Sequence, residues 1–271
     1  MAIKNFIPTI WSENLYKALD KQYIAVSNCN RDYEGDIKNM GSVVKICGVG
    51  NVVIEDYTKN TDMNNPQALS DTVAELKIDQ AKYFNFQIDD IDRAQSTPKL
   101  MQEAMHLAAS ALANTADRYI FGLYANAGST VEGTASEDHI IGTVIDAIQK
   151  LYEKNVSKSE DVVIEVSPAV AAMILKAKVN LSAETRDVLE AGCIGAICGC
   201  KIYVSNNIVV DSSRHKCLVR TTRAIAFAEQ LSEIEAYRPE QRFADAVKGL
   251  HLYGAKVVYP EEMVLLDLTV A

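Results

Sequence analysis

The chain has 271 residues, of which 48% are hydrophobic and 23% are charged. This length allows one large domain or two small ones, and the composition excludes a disordered or membrane-spanning chain. The formal net charge of −9, from 36 acidic and 27 basic residues, argues against tight binding of nucleic-acid phosphates by the chain as a whole. The first residues do not resemble a signal peptide, so synthesis in the cytoplasm is expected.

The N-terminal stretch has four large apolar side chains within the six positions 6–11: Phe6, Ile7, Ile10 and Trp11. A short helix is predicted from Ser12, with its apolar stripe at Leu15, Ala18 and Leu19. This much apolar surface has to be covered, either by the same chain or by a neighbouring subunit. We predict that the stretch acts between subunits, so that a chain lacking residues 1–19 would fold but assemble badly.

Two β-type stretches flank a polar insert. The first covers 36–57 and is rich in valine and isoleucine, while the second covers 74–90 and alternates apolar with polar residues. The insert between them, 58–72, has almost no large apolar side chain and contains the turn signal Asn64-Asn65-Pro66. We predict a protruding hairpin with a polar tip, whose flanking strands lie across an adjacent subunit.

Three carboxylates, Asp89, Asp90 and Asp92, follow the second stretch and suggest a metal site or acid–base chemistry. They lack the glycine turn and the terminal glutamate of a calcium loop, and no histidine accompanies them. We therefore prefer a solvated corner that pairs with arginine or lysine.

The stretch 97–126 consists almost entirely of helix-forming residues. Thr97 can cap a helix, Pro98 suits its first position, and Gly128 follows its end. Residues at steps of three and four mark one apolar face: Leu100, Ala104, Leu107, Ala108, Ala111, Thr115 and Tyr119. A helix of this length would extend roughly 45 Å and would normally serve as a spine for other elements. The alternative is an ordinary core helix with a frayed last turn.

From about residue 131, helices and strands alternate in a separate compact unit. A helix is predicted at 139–155. Its wide apolar stripe comprises Ile140, Ile141, Val144, Ile145, Ile148, Leu151 and Tyr152. After it, a strand is predicted at 161–167, a helix at 169–177 and a polar helical stretch at 182–189. Three strands follow, at 201–208, 216–221 and 224–230.

Gly192, Gly195 and Gly199 could form a nucleotide-binding loop. However, a strand and not a helix follows them. The lysine of a P-loop and the acidic partner of a dinucleotide-binding fold are both missing from the pattern. Close packing of the backbone before a strand is the preferred interpretation.

The six cysteines of the chain are expected to be reduced. Cys198, Cys200, His215 and Cys217 could in principle bind zinc. A Cys-x-Cys pair on an extended strand, however, points both thiols to one face without the usual turn, so buried thiols that pack as small apolar groups are preferred.

The four histidines are far apart in the sequence: His106, His139, His215 and His251. Each stands in a context that favours a core or surface role. No nucleophile, base and orienting group converge in the pattern. The sequence therefore assigns no catalytic, cofactor-binding or metal-binding residue.

Four segments carry a family resemblance by their order along the chain. They are FIPTIWSENLYKAL from Phe6, FQIDDIDRAQS from Phe86, LEAGCIGAICGCKIYVSNNI from Leu189, and AFAEQLSEIEAYRPEQRFADAVKGLHLYGAKVV from Ala226. Together they resemble the major capsid proteins of tailed bacteriophages with the Hong Kong 97-type fold, and the resemblance covers nearly the whole chain.

The resemblance implies an α+β fold with named parts. These are an N-terminal arm (1–35), a P-domain (36–130), an A-domain (131–232), a return through the P-domain (233–258) and a C-terminal strand back to the A-domain (259–271). The P-domain would carry an E-loop at about 45–76 and the spine helix at about 97–126. A built-in scaffolding segment is not recognised, so a separate scaffolding protein is expected.

The resemblance also implies a structural protein that is not an enzyme and needs no cofactor. Its copies would assemble as hexamers and pentamers into the icosahedral head shell around the double-stranded DNA of a tailed phage. The expected partners are further copies of the chain, a scaffolding protein and a portal; DNA would be enclosed without sequence-specific binding, and no membrane is involved. The protein would be made and assembled in the cytoplasm of the host bacterium and would end in the virion.

Two alternatives stay open from the sequence. An encapsulin-type protein shell shares the fold, but it is expected to begin with a cargo-docking helix instead of FIPTIW. A cytosolic α/β enzyme with a β-hairpin domain would need a formed pocket with perturbed titratable groups, and it would form a small closed oligomer.

Overall fold

The computed structural model of the chain describes residues 15, 19, 22–33, 41–49, 54, 56, 59, 71–89, 100–154, 156, 161–177, 193–241 and 243–270. Its strands are β1 (Val43–Val49), β2 (Asp71–Lys77), β3 (Gln80–Asp89), β4 (Ser129–Ala135), β5 (Val162–Val166), β6 (Cys193–Ile197), β7 (Cys200–Val204), β8 (Val210–Asp211), β9 (Arg214–Thr221), β10 (Ile225–Tyr237), β11 (Ala244–Val257) and β12 (Met263–Val270). Its helices are α1 (Leu100–Phe121), α2 (Ile140–Tyr152) and α3 (Pro168–Lys176). Short 3-10 turns cover Val26–Asn28, Gly122–Asn126, Thr222–Ala224 and Pro260–Glu262.

The largest sheet has seven strands in the order β4-β12-β9-β5-β7-β6, with β8 paired to β9. β12 runs parallel to β4 and antiparallel to β9, and β5 runs parallel to β7. Every residue of β5 is buried, and so is β12 as far as Leu268. Both strands are mostly apolar because they are covered on both faces, and each contains one buried carboxylate, Glu165 in β5 and Asp267 in β12. α2 packs on β4, β12 and β9, and α3 packs on α2 and β12.

The two helices over this sheet agree with their predicted positions. Four residues of the predicted stripe of α2 are buried: Ile140, Val144, Ile148 and Leu151. Ile145 and Tyr152 of that stripe are instead exposed. Ser167 caps α3 by accepting a hydrogen bond from the Val170 N–H, and Pro168 takes the first helical position.

β10, β11 and β3 form a three-stranded antiparallel sheet. α1 packs on one face of this sheet, where the rings of Tyr119 and Tyr253 meet edge to face at 5.6 Å. Phe227 and Tyr253 on this face belong to the same apolar cluster as the core of the seven-stranded sheet. The two larger sheets therefore share one continuous core.

The central helix is confirmed from residue 100 onward, but its predicted apolar face is wrong. α1 extends about 33 Å over its described residues and continues into the 3-10 turn Gly122–Asn126, while the predicted start at Thr97 and Pro98 lies outside the described residues. Its buried apolar residues are Met105, Ala109, Leu112, Ala113, Ala116, Ile120 and Phe121. Leu107 and Ala111 of the predicted face are exposed. An alanine-rich helix has apolar side chains on several sides, so periodicity alone does not identify the side that packs.

β1 and β2 form a hairpin around the polar insert, as predicted, and pair antiparallel from Val43↔Lys77 to Val49↔Asp71. One face of this hairpin packs on the three-stranded sheet, on the side opposite α1. The buried members of this second cluster are Val44, Ile46, Leu76, Ile78, Ala226, Ala228 and Leu252. One face of the described strands is thus covered by their own chain, while Val43 and Val73 are exposed. Contact of these strands with an adjacent subunit stays a prediction. Most of the tip lies outside the described residues.

The stretch 74–90 forms two strands instead of the single strand predicted. β2 ends at Lys77 and β3 begins at Gln80, and the two strands belong to different sheets. The buried Ile78 lies at the corner between them. The two consecutive polar residues Asp79 and Gln80 interrupt the alternation at this corner, and they are the local signal of the break that the single-strand prediction missed.

The N-terminal stretch contributes to the core of its own chain. Leu15 and Leu19 are helical, and both side chains are buried in the main cluster. The expectation that residues 1–19 are dispensable for folding is therefore wrong for these two leucines. Phe6, Ile7, Ile10 and Trp11 lie outside the described residues, so their role between subunits stays a prediction.

Two predicted domain boundaries fall inside strands. The boundary between 130 and 131 falls within β4, and the boundary between 232 and 233 falls within β10. The chain passes from the seven-stranded to the three-stranded sheet earlier, through the turn Thr222–Ala224 that follows β9. The predicted helical stretch at 182–189 lies outside the described residues.

Candidate functional site

Residues 22–31, here named the junction segment, lie where the two larger sheets meet. Polar side chains from α1, β5, β9 and β10 bind this segment, and His251 of β11 binds Glu229 beside it; the four that bind the segment are Asp117, Glu165, Arg220 and Glu229. All five of these side chains are buried. Buried charges are costly unless they are paired and hydrogen-bonded, so each contact at this junction matters for stability.

Asp117 of α1 holds the first part of the junction segment. Its Oδ1 accepts hydrogen bonds from the N–H groups of Ala25 and Val26 at 3.0 and 3.1 Å, and its Oδ2 accepts one from Ile24 at 3.0 Å. The 3-10 turn Val26–Asn28 has no side-chain cap of its own at Ala25, so Asp117 caps it from another element. Burial raises the pKa of Asp117 to about 6, although the three N–H groups act in the opposite direction.

Arg220 and Glu165 form an ion pair that is completely buried. The Nε and Nη2 atoms of Arg220 each donate to one carboxylate oxygen of Glu165 at 2.9 Å. The remaining donors of the guanidinium reach the junction segment, at the carbonyl oxygens of Asn28 and Ala25. Asn28 in turn donates from its side-chain amide to Glu165 at 3.2 Å. This bidentate arrangement satisfies both charges.

Glu229 of β10 holds both ends of the junction segment. Its carboxylate accepts hydrogen bonds from the hydroxyl of Tyr23, from Nη2 of Arg31 at 2.7 Å and from Nε2 of His251 at 2.8 Å. Burial, followed by the charge of Glu229, raises the pKa of Tyr23, so its hydroxyl keeps its proton and acts as a donor.

Several large apolar side chains remain exposed on the outside of the fold. The most exposed are Ile54 at 93%, Phe243 at 82%, Tyr83 at 79% and Leu107 at 69%. Tyr83 and Leu250 lie directly opposite each other on β3 and β11, and Leu250 is also exposed. Apolar surface of this kind is available for contact with other molecules.

The glycine run forms a β-hairpin. Cys198 and Gly199 make the two-residue turn between β6 and β7, with φ of 52° and 83°. Gly195 lies in β6, and Gly192 lies outside the described residues. A Cβ at Gly199 would meet nothing within 4 Å, so the prediction of close backbone packing is wrong at this residue, where the positive φ is what favours glycine. The strand–turn–strand arrangement is not the strand–loop–helix context of a phosphate-binding loop.

The structure corrects the predicted position of one cysteine, Cys198. Cys198 lies in the exposed turn, so the prediction that it shares an extended strand with Cys200 is wrong. Cys200 and Cys217 are buried in β7 and β9, and burial raises the pKa of the Cys217 thiol to about 12. Within the described ranges, no group of three or more histidine, cysteine, aspartate or glutamate side chains is placed to hold a metal ion.

The remaining sequence candidates do not converge. Asp89 ends β3 opposite Ala244, and Asp90 and Asp92 lie outside the described residues. The histidines are distributed over four elements or their flanks: His106 on α1, His139 before α2, His215 on β9 and His251 on β11. Of these four, His251 belongs to the buried junction.

The residues of the junction were not predicted from the sequence. The sequence nevertheless contains a signal for three of them. Glu165 and Arg220 are single charged residues inside the otherwise uncharged strands VVIEV and CLVRT, and Glu229 is the charged residue of AFAEQ. A charge at such a position must find a buried partner. The partner itself could not be read from the pattern, because Asn28 and Glu165 are 137 residues apart.

A comparison with models of protein families decides to which family this chain belongs. The family model described as "Phage capsid protein" matches residues 72–266, which include α1, α2, α3 and the chain from β2 into β12. This chain belongs to the phage capsid protein family.

Solved structures agree with this assignment. A structure from Mycobacterium phage Che8 is 31% identical to this chain, here called the capsid protein, with a TM-score of 0.71 over 90% of this chain and 91% of that chain. The capsid of Cyanophage P-SCSP1u is 15% identical, with a TM-score of 0.68 over 90% and 86%. A virus-like particle from Pyrococcus furiosus is 11% identical, with a TM-score of 0.59 over 94% and 96%. At 15% and 11% identity, the cyanophage capsid and this particle show the fold alone. A search of curated proteins found no match.

The capsid protein therefore has the Hong Kong 97-type fold that the sequence resemblance implied. It is a major capsid protein, and copies of it form the head shell of the virion. The encapsulin-type alternative is less favoured because the family match and the more similar structure are both from phages. In the described part of the capsid protein, no helix is long and apolar enough to cross a membrane.

Gly254 of β11 allows the hairpin of the capsid protein to dock. A Cβ at this position would lie 2.1 Å from the carbonyl oxygen of Lys77, the last residue of β2. We expect Gly254→Ala to displace the hairpin base, to cost about 1–3 kcal/mol of unfolding free energy, and to accelerate hydrogen exchange in β1 and β2. Gly142→Ala is the matched control, because nothing lies within 4 Å of its added Cβ. Unchanged exchange in β1 and β2 of the Gly254 variant would contradict the docking role.

Proposed function

We propose that the head shell is icosahedral, is built from hexamers and pentamers of this chain, and encloses the double-stranded DNA of a tailed phage. The observation that carries the proposal is the 31% identity to the Mycobacterium phage Che8 structure over 90% of this chain. The exposed large apolar residues support it, because a lattice subunit needs surface that its neighbours can cover.

The domain layout of the resemblance is part of this proposal. The P-domain would comprise the hairpin β1–β2, β3, α1, β10 and β11, and the A-domain would comprise β4–β9, α2, α3 and β12. The sheet pairing supports moving the boundaries from 130 and 232 to the turns before β4 and before β10. The N-terminal arm, 1–35, would then include the buried junction segment. The E-loop, about 45–76, would extend from a base that rests on its own P-domain.

The partners and the place of assembly follow the same proposal. The net charge of −9 supports a shell that encloses DNA without gripping its phosphates or reading its sequence. A separate scaffolding protein would guide assembly, and a portal would occupy one vertex. The chain would act as a structural protein without catalysis, and it would be made and assembled in the cytoplasm of the host bacterium.

The test is electron microscopy of particles purified from the cells that naturally produce the chain, combined with nuclease treatment. We expect closed icosahedral shells with hexamers and pentamers, whose interior protects linear double-stranded DNA from the nuclease. Shells that contain folded protein cargo and no protected DNA would favour the encapsulin-type alternative. A small closed oligomer without shells would overturn the proposal.

A further inference from the structure

The junction segment touches both larger sheets within a short length of chain. Its Asn28 binds Glu165 of the seven-stranded sheet, and its Tyr23 binds Glu229 of the three-stranded sheet. Its Asn30 forms a parallel bridge to Ala226 at the start of β10. There the N–H of Asn30 donates to the carbonyl of Ile225 at 2.9 Å, and the Phe227 N–H donates to the carbonyl of Asn30 at 2.8 Å.

The contacts at the junction depend on one another. Asp117, Glu165 and Glu229 are all buried, and each takes at least one of its hydrogen-bond donors from the junction segment. Withdrawing the segment would leave three buried carboxylates short of donors and Arg220 short of two acceptors. A fully satisfied buried network is stable, whereas a partly satisfied one is costly. Partial withdrawal of the segment is therefore expected to be unfavourable.

We propose that the junction segment is a mechanical coupler of the subunit. It sets the relative orientation of the seven-stranded and three-stranded sheets, and it transmits a displacement of the residues before Gln22 to both sheets. In a head shell, where subunits press on one another, this coupling would link the position of the N-terminal arm to the shape of the subunit body. The coupler acts within a single subunit, so it does not depend on what the shell encloses.

A simpler role has to be separated from this one. The buried residues Tyr23, Ala25 and Val26 also fill the main core, so the segment could serve as a local filling of the core without affecting the sheets. A local role and a coupling role both predict faster opening of the segment when its contacts are removed. The coupling role alone predicts that the two sheets then vary in relative orientation.

The experiment uses the unassembled full-length chain and a release variant that combines Tyr23→Phe with Asn28→Ala. This variant removes two contacts of the segment but keeps the Arg220–Glu165 ion pair. Spin labels are attached, by chemistry that does not use cysteine, at the exposed residues Gln87 of β3 and Lys201 of β7. We expect at least a doubled width of the distance distribution between the labels. We also expect at least tenfold faster hydrogen exchange of the amides of residues 24–26.

The control is Ser27→Ala, because the Ser27 side chain is exposed and its hydroxyl bonds only to carbonyls of the segment itself, at Tyr23 and Ile24. It should leave the distance distribution unchanged. If the release variant does not fold, Asn28→Ala alone is measured in the same way, and a broadened distribution is again expected. Faster exchange with an unchanged distance distribution would overturn the coupling role, and so would a variant in which neither quantity changes.

Discussion

Replacing Arg220 with methionine should lower the free energy of unfolding of the capsid protein by about 3–5 kcal/mol. The substitution leaves the Glu165 carboxylate buried without its ion-pair partner and removes two hydrogen bonds to the carbonyls of the junction segment. Urea unfolding of the unassembled subunit, followed by circular dichroism, measures the change. We expect that such a subunit also fails to form shells at the temperature at which the wild-type chain forms them.

Two further variants test the cause of that loss. Changing Glu165 and Arg220 together to methionine removes both buried charges, so a large part of the stability should return. The recovery should be incomplete, because the carbonyls of Ala25 and Asn28 still lose their donor. Arg118→Met, on the exposed side of α1, is the surface control and should change stability by less than about 0.5 kcal/mol. A loss below about 1 kcal/mol for Arg220→Met would show that the ion pair is not the support that its burial implies.

The two N-terminal leucines should be the second most sensitive positions. Leu15 and Leu19 are each 1% exposed within the main core. A buried leucine-to-alanine change costs about 2–5 kcal/mol, so the double variant should unfold at a much lower urea concentration than wild type. The two costs need not add exactly, because the side chains are neighbours in one cluster.

Matched variants separate folding from assembly at this end of the chain. Leu107→Ala makes the same chemical change at an exposed position and should alter stability by less than about 0.5 kcal/mol. Removal of residues 1–11 keeps Leu15 and Leu19, so the subunit should remain stable; a loss of assembly would then assign Trp11 and its neighbours to contacts between subunits. Wild-type stability of the Leu15 and Leu19 double variant would contradict the core role of this stretch.

Elements with a strong local pattern were predicted well. The positions of α2 and α3 and the strand β5, which is apolar except for Glu165, follow from side chains that are close together in the sequence. Periodicity and capping depend on side chains a few residues apart, so a single sequence is enough to place them. The paired strands around the polar insert follow from the same kind of local signal.

Elements whose outcome depends on distant packing were predicted poorly. The packed side of α1 differs from the predicted one because its alanines are apolar on several sides, and contact with β11 and β3 selects among them. The division of 74–90 into β2 and β3 depends on which sheet each half joins. Leu15 and Leu19 could equally have been covered by another subunit, and only the folded chain shows that they are in its own core.

The sequence by itself determined the class of the protein, the order of its elements and its family, because four segments in a fixed order carry the resemblance and local periodicity defines helices and strands. The tertiary structure decided the buried junction. Arg220 and Glu165 are 55 residues apart, and Asn28 and Arg220 are 192 apart. A charged residue in an apolar strand indicates that a buried partner is needed, but the tertiary fold determines which residue that partner is.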